Sequence, residues 1–183
     1  MLKAILAVVA LLGAFVVYIY NTLVRRRAAV ENGWSQIDVQ LKRRYDLIPN
    51  LVETVKGYAT HERDIFERVA ALRSASMSAT GASEITSLQD DLSSALRSLI
   101  AVSEGYPELK ANANFLALQE ELASTENKIA FARQYYNDAV KEYNIAIDVF
   151  PNNLLSRRLG FEPRPMWTAG EAAERAPVSV SWS

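Results

Sequence analysis

Residues 115–150 read FLALQEELASTENKIAFARQYYNDAVKEYNIAIDVF. Apolar or small side chains fall at Phe115, Leu118, Leu122, Thr125, Ile129, Ala132, Tyr136, Ala139, Tyr143, Ala146 and Phe150, in alternating steps of three and four. That spacing is a heptad seam, the mark of a helix that packs along its length on another helix. Tyrosines alternate with alanines over its second half, so large side chains can fill the space opposite small ones. Phe150-Pro151 stops the helix, because proline cannot continue it. Residues 152–159 can form a short fourth helix, with Gly160 as its left-handed cap. From Phe161 onward, Pro163, Pro165 and Pro177 predict an irregular tail. The alternation of Val178, Val180 and Trp182 with serines could add a strand to a partner, but a frayed end is the favoured reading.

Upstream, the same periodicity continues. Between residues 28 and 79 the stripe comprises Val30, Trp34, Ile37, Leu41, Tyr45, Ile48, Val52, Val55, Ala59, Phe66 and Val69. Pro49 interrupts it by removing a backbone donor, which predicts a kink or break near Asp46–Pro49, with Asp46 capping a restart. Residues 74–83 are rich in Ser, Ala and Gly and read as a turn. A second helix over 83–105 carries Ile85, Leu88, Leu92, Leu96, Leu99 and Val102, and Gly105-Tyr106-Pro107 ends it. Residues 28–162 thus form a long antiparallel all-α bundle of three long helices and a short fourth, and 163–183 a tail. Nothing reads as a β-strand.

The three helices would be roughly 78, 35 and 63 Å long. An up-down-up arrangement leaves residues 28–55 and 128–149 unmatched, each with an apolar stripe that is costly in water. Either the first helix folds back at Pro49 within one chain, or these segments pair between chains in a homo-oligomer.

Residues 1–27 read as a membrane anchor. Ala4 to Val24 holds no charge over 21 residues. At 1.5 Å per residue that is roughly 31 Å, the thickness of a bilayer's hydrocarbon. Ile5, Leu6, Leu11, Leu12 and Phe15 would face lipid, and Tyr18 and Tyr20 would form an interfacial aromatic belt. Val17-Tyr18-Ile19-Tyr20 lacks the small residues of a signal-peptidase site, so the segment reads as an uncleaved single-pass anchor. Arg25, Arg26 and Arg27 would lie against anionic headgroups. With Lys42, Arg43 and Arg44 beyond them, they favour a cytoplasmic body by the positive-inside bias.

Composition removes several classes of function. The chain has no cysteine, so it has neither a disulfide frame nor a thiol nucleophile. Twenty basic and 21 acidic residues give a formal charge of −1, unlike a nucleic-acid binder that works by neutralising phosphates. A di-iron site in a bundle needs two Glu-x-x-His motifs. Only His61 is present, and Tyr58 stands three residues before it. His61 therefore reads as a solvated helix residue. No Gly-x-Ser-x-Gly elbow and no glycine-rich phosphate loop occurs. The expectation is a non-enzyme without cofactor or metal.

Two polar sets remain. Asp38, Gln40, Lys42, Arg43, Arg44, Asp46 and Asn50 lie on the first helix, and Glu126, Arg133, Asn137 and Asn144 on the third. They are either solvated faces or an interhelical network in which Arg133 meets Asp38 or Asp46 and the asparagines fix register. The candidate interhelix or oligomer contacts are Trp34, Ile37, Asp38, Leu41, Asp46, Arg133, Tyr136, Asn137, Tyr143 and Asn144.

The chain also resembles the LemA family of bacterial membrane proteins. The resemblance runs from Tyr20 to Trp167. It is densest at Tyr20-Asn21-Thr22-Leu23-Val24, at Asn32-Gly33-Trp34-Ser35-Gln36-Ile37-Asp38 and its continuation to Arg44, and at Asp46-Leu47-Ile48-Pro49-Asn50-Leu51-Val52. Further matches are Glu126-Asn127-Lys128-Ile129-Ala130, Ala132-Arg133, Tyr136-Asn137, Tyr143-Asn144, Phe150-Pro151 and Gly160-Phe161. Ser156 stands where the pattern leads one to expect alanine. The resemblance implies one N-terminal membrane helix, a helical body and residence in the bacterial inner membrane; it carries over no catalytic residue. The expected function is a membrane-anchored scaffold that self-associates and organises proteins beside the lipids. The alternative is an adaptor that binds a single membrane-protein client, such as a protease.

Overall fold

The computed structural model describes residues 1–168, and the alternating Val178, Val180 and Trp182 lie outside them. The helices are α1 (Leu2–Lys56), α2 (Arg63–Ser78), α3 (Ala82–Val102), α4 (Pro107–Lys110), α5 (Ala113–Asp148) and α6 (Asn153–Ser156), with a 3₁₀ turn at Ser103–Gly105. The fold is all-helical: a long apolar N-terminal helix is followed by further helices, and among the described residues there is no strand.

The chain divides into two compact units, and both α1 and α5 run through both. One unit comprises Met1–Asp38 and Ala130–Met166. Here the first part of α1 lies antiparallel to the end of α5. Arg26 pairs with Glu142, and the Trp34 and Tyr136 rings meet edge-on at 5.5 Å. Ile19, Leu23, Val30, Ile37, Tyr143, Ile147 and Phe161 form its core. The other unit comprises Val39–Ile129 together with Trp167 and Thr168. In it the end of α1 packs with α2, α3 and the first half of α5. Its core holds Leu41, Tyr45, Ile48, Leu51, Val55, Val69, Leu92, Leu99, Phe115 and Leu122. Asn112 caps α5, its Oδ1 accepting from the backbone N–H of Asn114 and Phe115.

Five sequence expectations change. The break at Asp46–Pro49 is absent, and α1 passes through Pro49 without interruption. Proline lacks the N–H that would bond the Tyr45 carbonyl one turn back. Arg73, on α2, supplies a donor in its place: its Nε–H reaches the Tyr45 carbonyl at 2.7 Å. The orphaned acceptor is thus satisfied from another helix. Arg73→Met is expected to cost about 2 kcal/mol, the value of a charge-assisted bond to a part-buried carbonyl. In a Pro49→Ala background, where the backbone supplies its own donor, most of that cost should vanish. A double-mutant cycle read by thermal unfolding checks the coupling, and additive effects would contradict it.

The helix expected over 28–79 is instead divided by a turn at residues 57–62, and His61 lies exposed in that turn rather than on a helix. The turn expected over 74–83 is confined to 79–81, with α2 running to Ser78. The heptad seam holds through Tyr143 and then fails, because Phe150 is 77% exposed while Val140 and Ile147 are buried. α5 ends at Asp148, so Phe150 lies in the turn beyond the helix and off the seam. Finally, the fold-back that would match the helix lengths does not occur. Each stripe is covered within this chain, Val30 and Ile37 in the first unit and Leu41 to Val55 in the second.

Candidate functional site

Two features stand out from the helical frame: an uncovered apolar shaft and a buried arginine. The shaft is the start of α1. Every residue from Met1 to Tyr18 is exposed, including Ile5, Leu6, Leu11, Leu12, Phe15 and Tyr18. Among the described residues, α1 is the one helix long and apolar enough to cross a membrane. The shaft ends abruptly, since Ile19 is 2% exposed and Leu23 fully buried. Tyr20 meets Phe161 edge-on at 5.8 Å, and the Arg27 guanidinium stacks over the same ring at 5.2 Å. Arg25 and Arg26 are exposed, and Arg26 pairs with Glu142.

The return segment after α6 closes on α5 through polar contacts. The Ser156 hydroxyl, where alanine was expected, donates to the Ile147 carbonyl at 2.8 Å. Gly160 takes a φ of +75°, a conformation that only glycine adopts at no steric cost, and the Phe161 N–H closes the turn on the Ser156 carbonyl. Asn144 uses both ends of its amide on Arg164, Nδ2 donating to the carbonyl and Oδ1 accepting from the N–H, each at 2.9 Å. The Tyr136 hydroxyl donates to the Pro165 carbonyl at 2.9 Å. Burial pushes the Tyr136 and Tyr143 hydroxyls above the usual phenol range, with Arg164 pulling the other way.

The second feature joins three helices. Arg44 of α1 is 2% exposed. Its Nη1 donates to Glu126 of α5 at 2.6 Å and to Ser93 of α3 at 2.9 Å, and its Nη2 donates to Gln89 of α3. Gln89 in turn donates to the Tyr45 hydroxyl. Arg43, the preceding residue, points to the surface and pairs with half-exposed Glu121. Among the described residues the buried charge is therefore Arg44, which the sequence placed only in a broad polar set. Its signal was positional: Arg44 follows Ile37 and Leu41 at a helical step, on the buried face.

Of the other candidates, Ile37 and Leu41 are core residues and Trp34 packs against Tyr136. Asp38 and Asp46 are exposed, and Arg133 and Asn137 are half-buried.

A cleft of about 260 Å³ opens beside Arg44, walled by Leu96, Ile100, Leu122 and Ala123 and flanked by Arg97. Arg44 bonds side chains on both α3 and α5, so the role this arrangement supports is holding α1, α3 and α5 in register. Among the described residues, no three of His, Asp or Glu converge as metal ligands would.

Comparison with known proteins gives a consistent picture. A model of the LemA family matches residues 33–182. Magnetosome protein MamQ 1 and Magnetosome protein MamQ 2 of Paramagnetospirillum magneticum are each 27% identical, over 88% of this chain and 69% of theirs. Protein LemA of Metamycoplasma hominis is also 27% identical, over 88% of this chain and 74% of its own length.

Proposed function

From the premise that the chain belongs to the LemA family, we propose that it is a non-enzymatic, membrane-anchored helical scaffold. It self-associates and organises proteins at the inner membrane of a bacterium, with its body in the cytoplasm. The observation that carries this reading is the exposed apolar shaft, which continues without a break into the helix that forms the body's core. A free apolar cylinder of that length is costly in water and stable in lipid. Because no loop intervenes, the anchor fixes the height of the body above the bilayer. Two relatives are named magnetosome proteins, which supports an organising role.

The apolar stripes first considered for pairing between chains are used inside this one. Contacts with a second copy fall instead to side chains still uncovered, such as Phe131 and Tyr135, one turn apart on α5 and 71% and 42% exposed.

The test uses the full chain in its native membrane. It should resist extraction by alkaline carbonate, and a lysine-reactive crosslinker should give a ladder of multiples of its own mass. Release by carbonate would overturn the anchor. A single heterologous band would favour the adaptor with one client, and an uncrosslinked monomer would overturn self-association.

A further inference from the structure

The anchor and the body overlap in height, and the overlap exposes a second apolar surface. On the antiparallel α1–α5 pair, Glu142 stands beside Arg26 and Tyr136 beside Gly33 and Trp34. Continuing residue for residue, Asp148, where α5 ends, comes level with Tyr20, and the turn at residues 149–152 follows it. The end of the body is therefore level with the last turns of the uncharged Ala4–Val24 run.

That run has two parts. Ile19 and Leu23 are covered by protein, which leaves Ala4–Tyr18 for lipid. These residues rise about 22 Å. A hydrocarbon core of about 30 Å is thicker. The body must then enter the boundary layer to make up the difference.

What it presents there is apolar and cationic together. Val149 is 45%, Phe150 77%, Leu154 62% and Leu159 37% exposed. Arg157 and Arg158, both exposed, lie in the same segment. Exposed apolar groups next to exposed arginines suit the junction between acyl chains and phosphate headgroups. Ser156, Gly160 and Phe161 pin the segment to α5 and to Tyr20, so it is presented as a rigid surface.

We propose that the segment 149–159 is a second lipid-contact site, immersed in the headgroup boundary of an anionic phospholipid bilayer beside the anchor. This inference rests on the membrane-anchor reading. It adds that the body is seated on the membrane surface and does not stand off from it.

The natural absence of cysteine makes the test clean. Single variants Phe15→Cys, Phe150→Cys, Leu154→Cys and, as an aqueous control, Glu120→Cys are spin-labelled in the full chain. Each is reconstituted into vesicles of phosphatidylethanolamine and phosphatidylglycerol. Accessibility to oxygen, which concentrates in lipid, is compared with accessibility to a water-soluble nickel chelate. The expected result is an oxygen-to-nickel ratio several-fold above the control at positions 150 and 154, and higher still at 15. If position 15 is lipid-exposed while 150 and 154 match the control, the second contact is overturned and the anchor stands. If position 15 also matches the control, both fall. Low accessibility to both reagents at 150 and 154 would mean that protein covers them, a second copy or a client, and would equally overturn the proposal.

Discussion

Arg44→Ala is expected to lower the stability of the body by about 3 kcal/mol, whereas Arg43→Ala, one residue earlier, should cost less than about 1 kcal/mol. The difference follows from environment alone. Arg43 and Glu121 are both half-exposed, so water replaces the ion pair when it is broken. Arg44 is buried and bonds Gln89, Ser93 and Glu126 on two other helices. Its removal opens a cavity the size of its stem and leaves the Oε1 of Gln89, a residue 4% exposed, without the Arg44 donor, while its Nε2 keeps the Tyr45 hydroxyl. Glu126 is 52% exposed and can rehydrate, which keeps the cost below that of a fully buried broken pair. Thermal unfolding of the full chain in detergent reads the effect. At 2–4 °C per kcal/mol, the shift is roughly 6–12 °C for Arg44→Ala. Arg44→Met separates the contributions: it keeps most of the volume, so near-wild-type stability would show that packing, not the hydrogen bonds, holds the three helices. Arg44→Lys should fall between, because one ammonium cannot reproduce the planar fork that reaches three acceptors.

The second large effect is expected at Gly33, where α1 and α5 approach closely. A Cβ there would stand 3.0 Å from the Tyr136 Cα and 3.3 Å from the Tyr135 ring. The obstacle is backbone, which cannot swing aside. Gly33→Ala sets this crowding against a gain of about 1 kcal/mol in helix propensity, and the two nearly cancel. Gly33→Leu has no such compensation. It must separate the helices and break the Trp34–Tyr136 edge contact, at an expected cost of about 3 kcal/mol. Chemical denaturation of both variants checks the ordering, and a tolerated leucine would contradict the close approach.

Much of the architecture was legible before any coordinates. The 3.6-residue period of a helix is a local property, so the positions of Val30, Ile37, Leu41, Ile48, Val52 and Val55 announce their buried face directly. The long apolar N-terminal run is legible for the same reason, since 21 uncharged residues are a property of adjacent positions. Pro49 is the instructive failure. The local rule, that proline interrupts a helix, is correct about the missing donor. It does not reveal that Arg73, 24 positions later, donates to the Tyr45 carbonyl. Arg43 and Arg44 differ in the same way: identical side chains in adjacent positions meet opposite environments because successive residues of a helix point about 100° apart.

Chain order alone determined that this protein is helical, which stripe of each helix is apolar, and that one end is suited to lipid, because each depends on residues within a few turns of one another. Tertiary structure decided where the helices stop and start, which arginine is buried, that the apolar stripes close on each other within one chain, and that Ile19 and Leu23 belong to the body and not to the shaft. Those outcomes depend on groups far apart in the chain, and the energy of bringing such groups together appears in no local pattern.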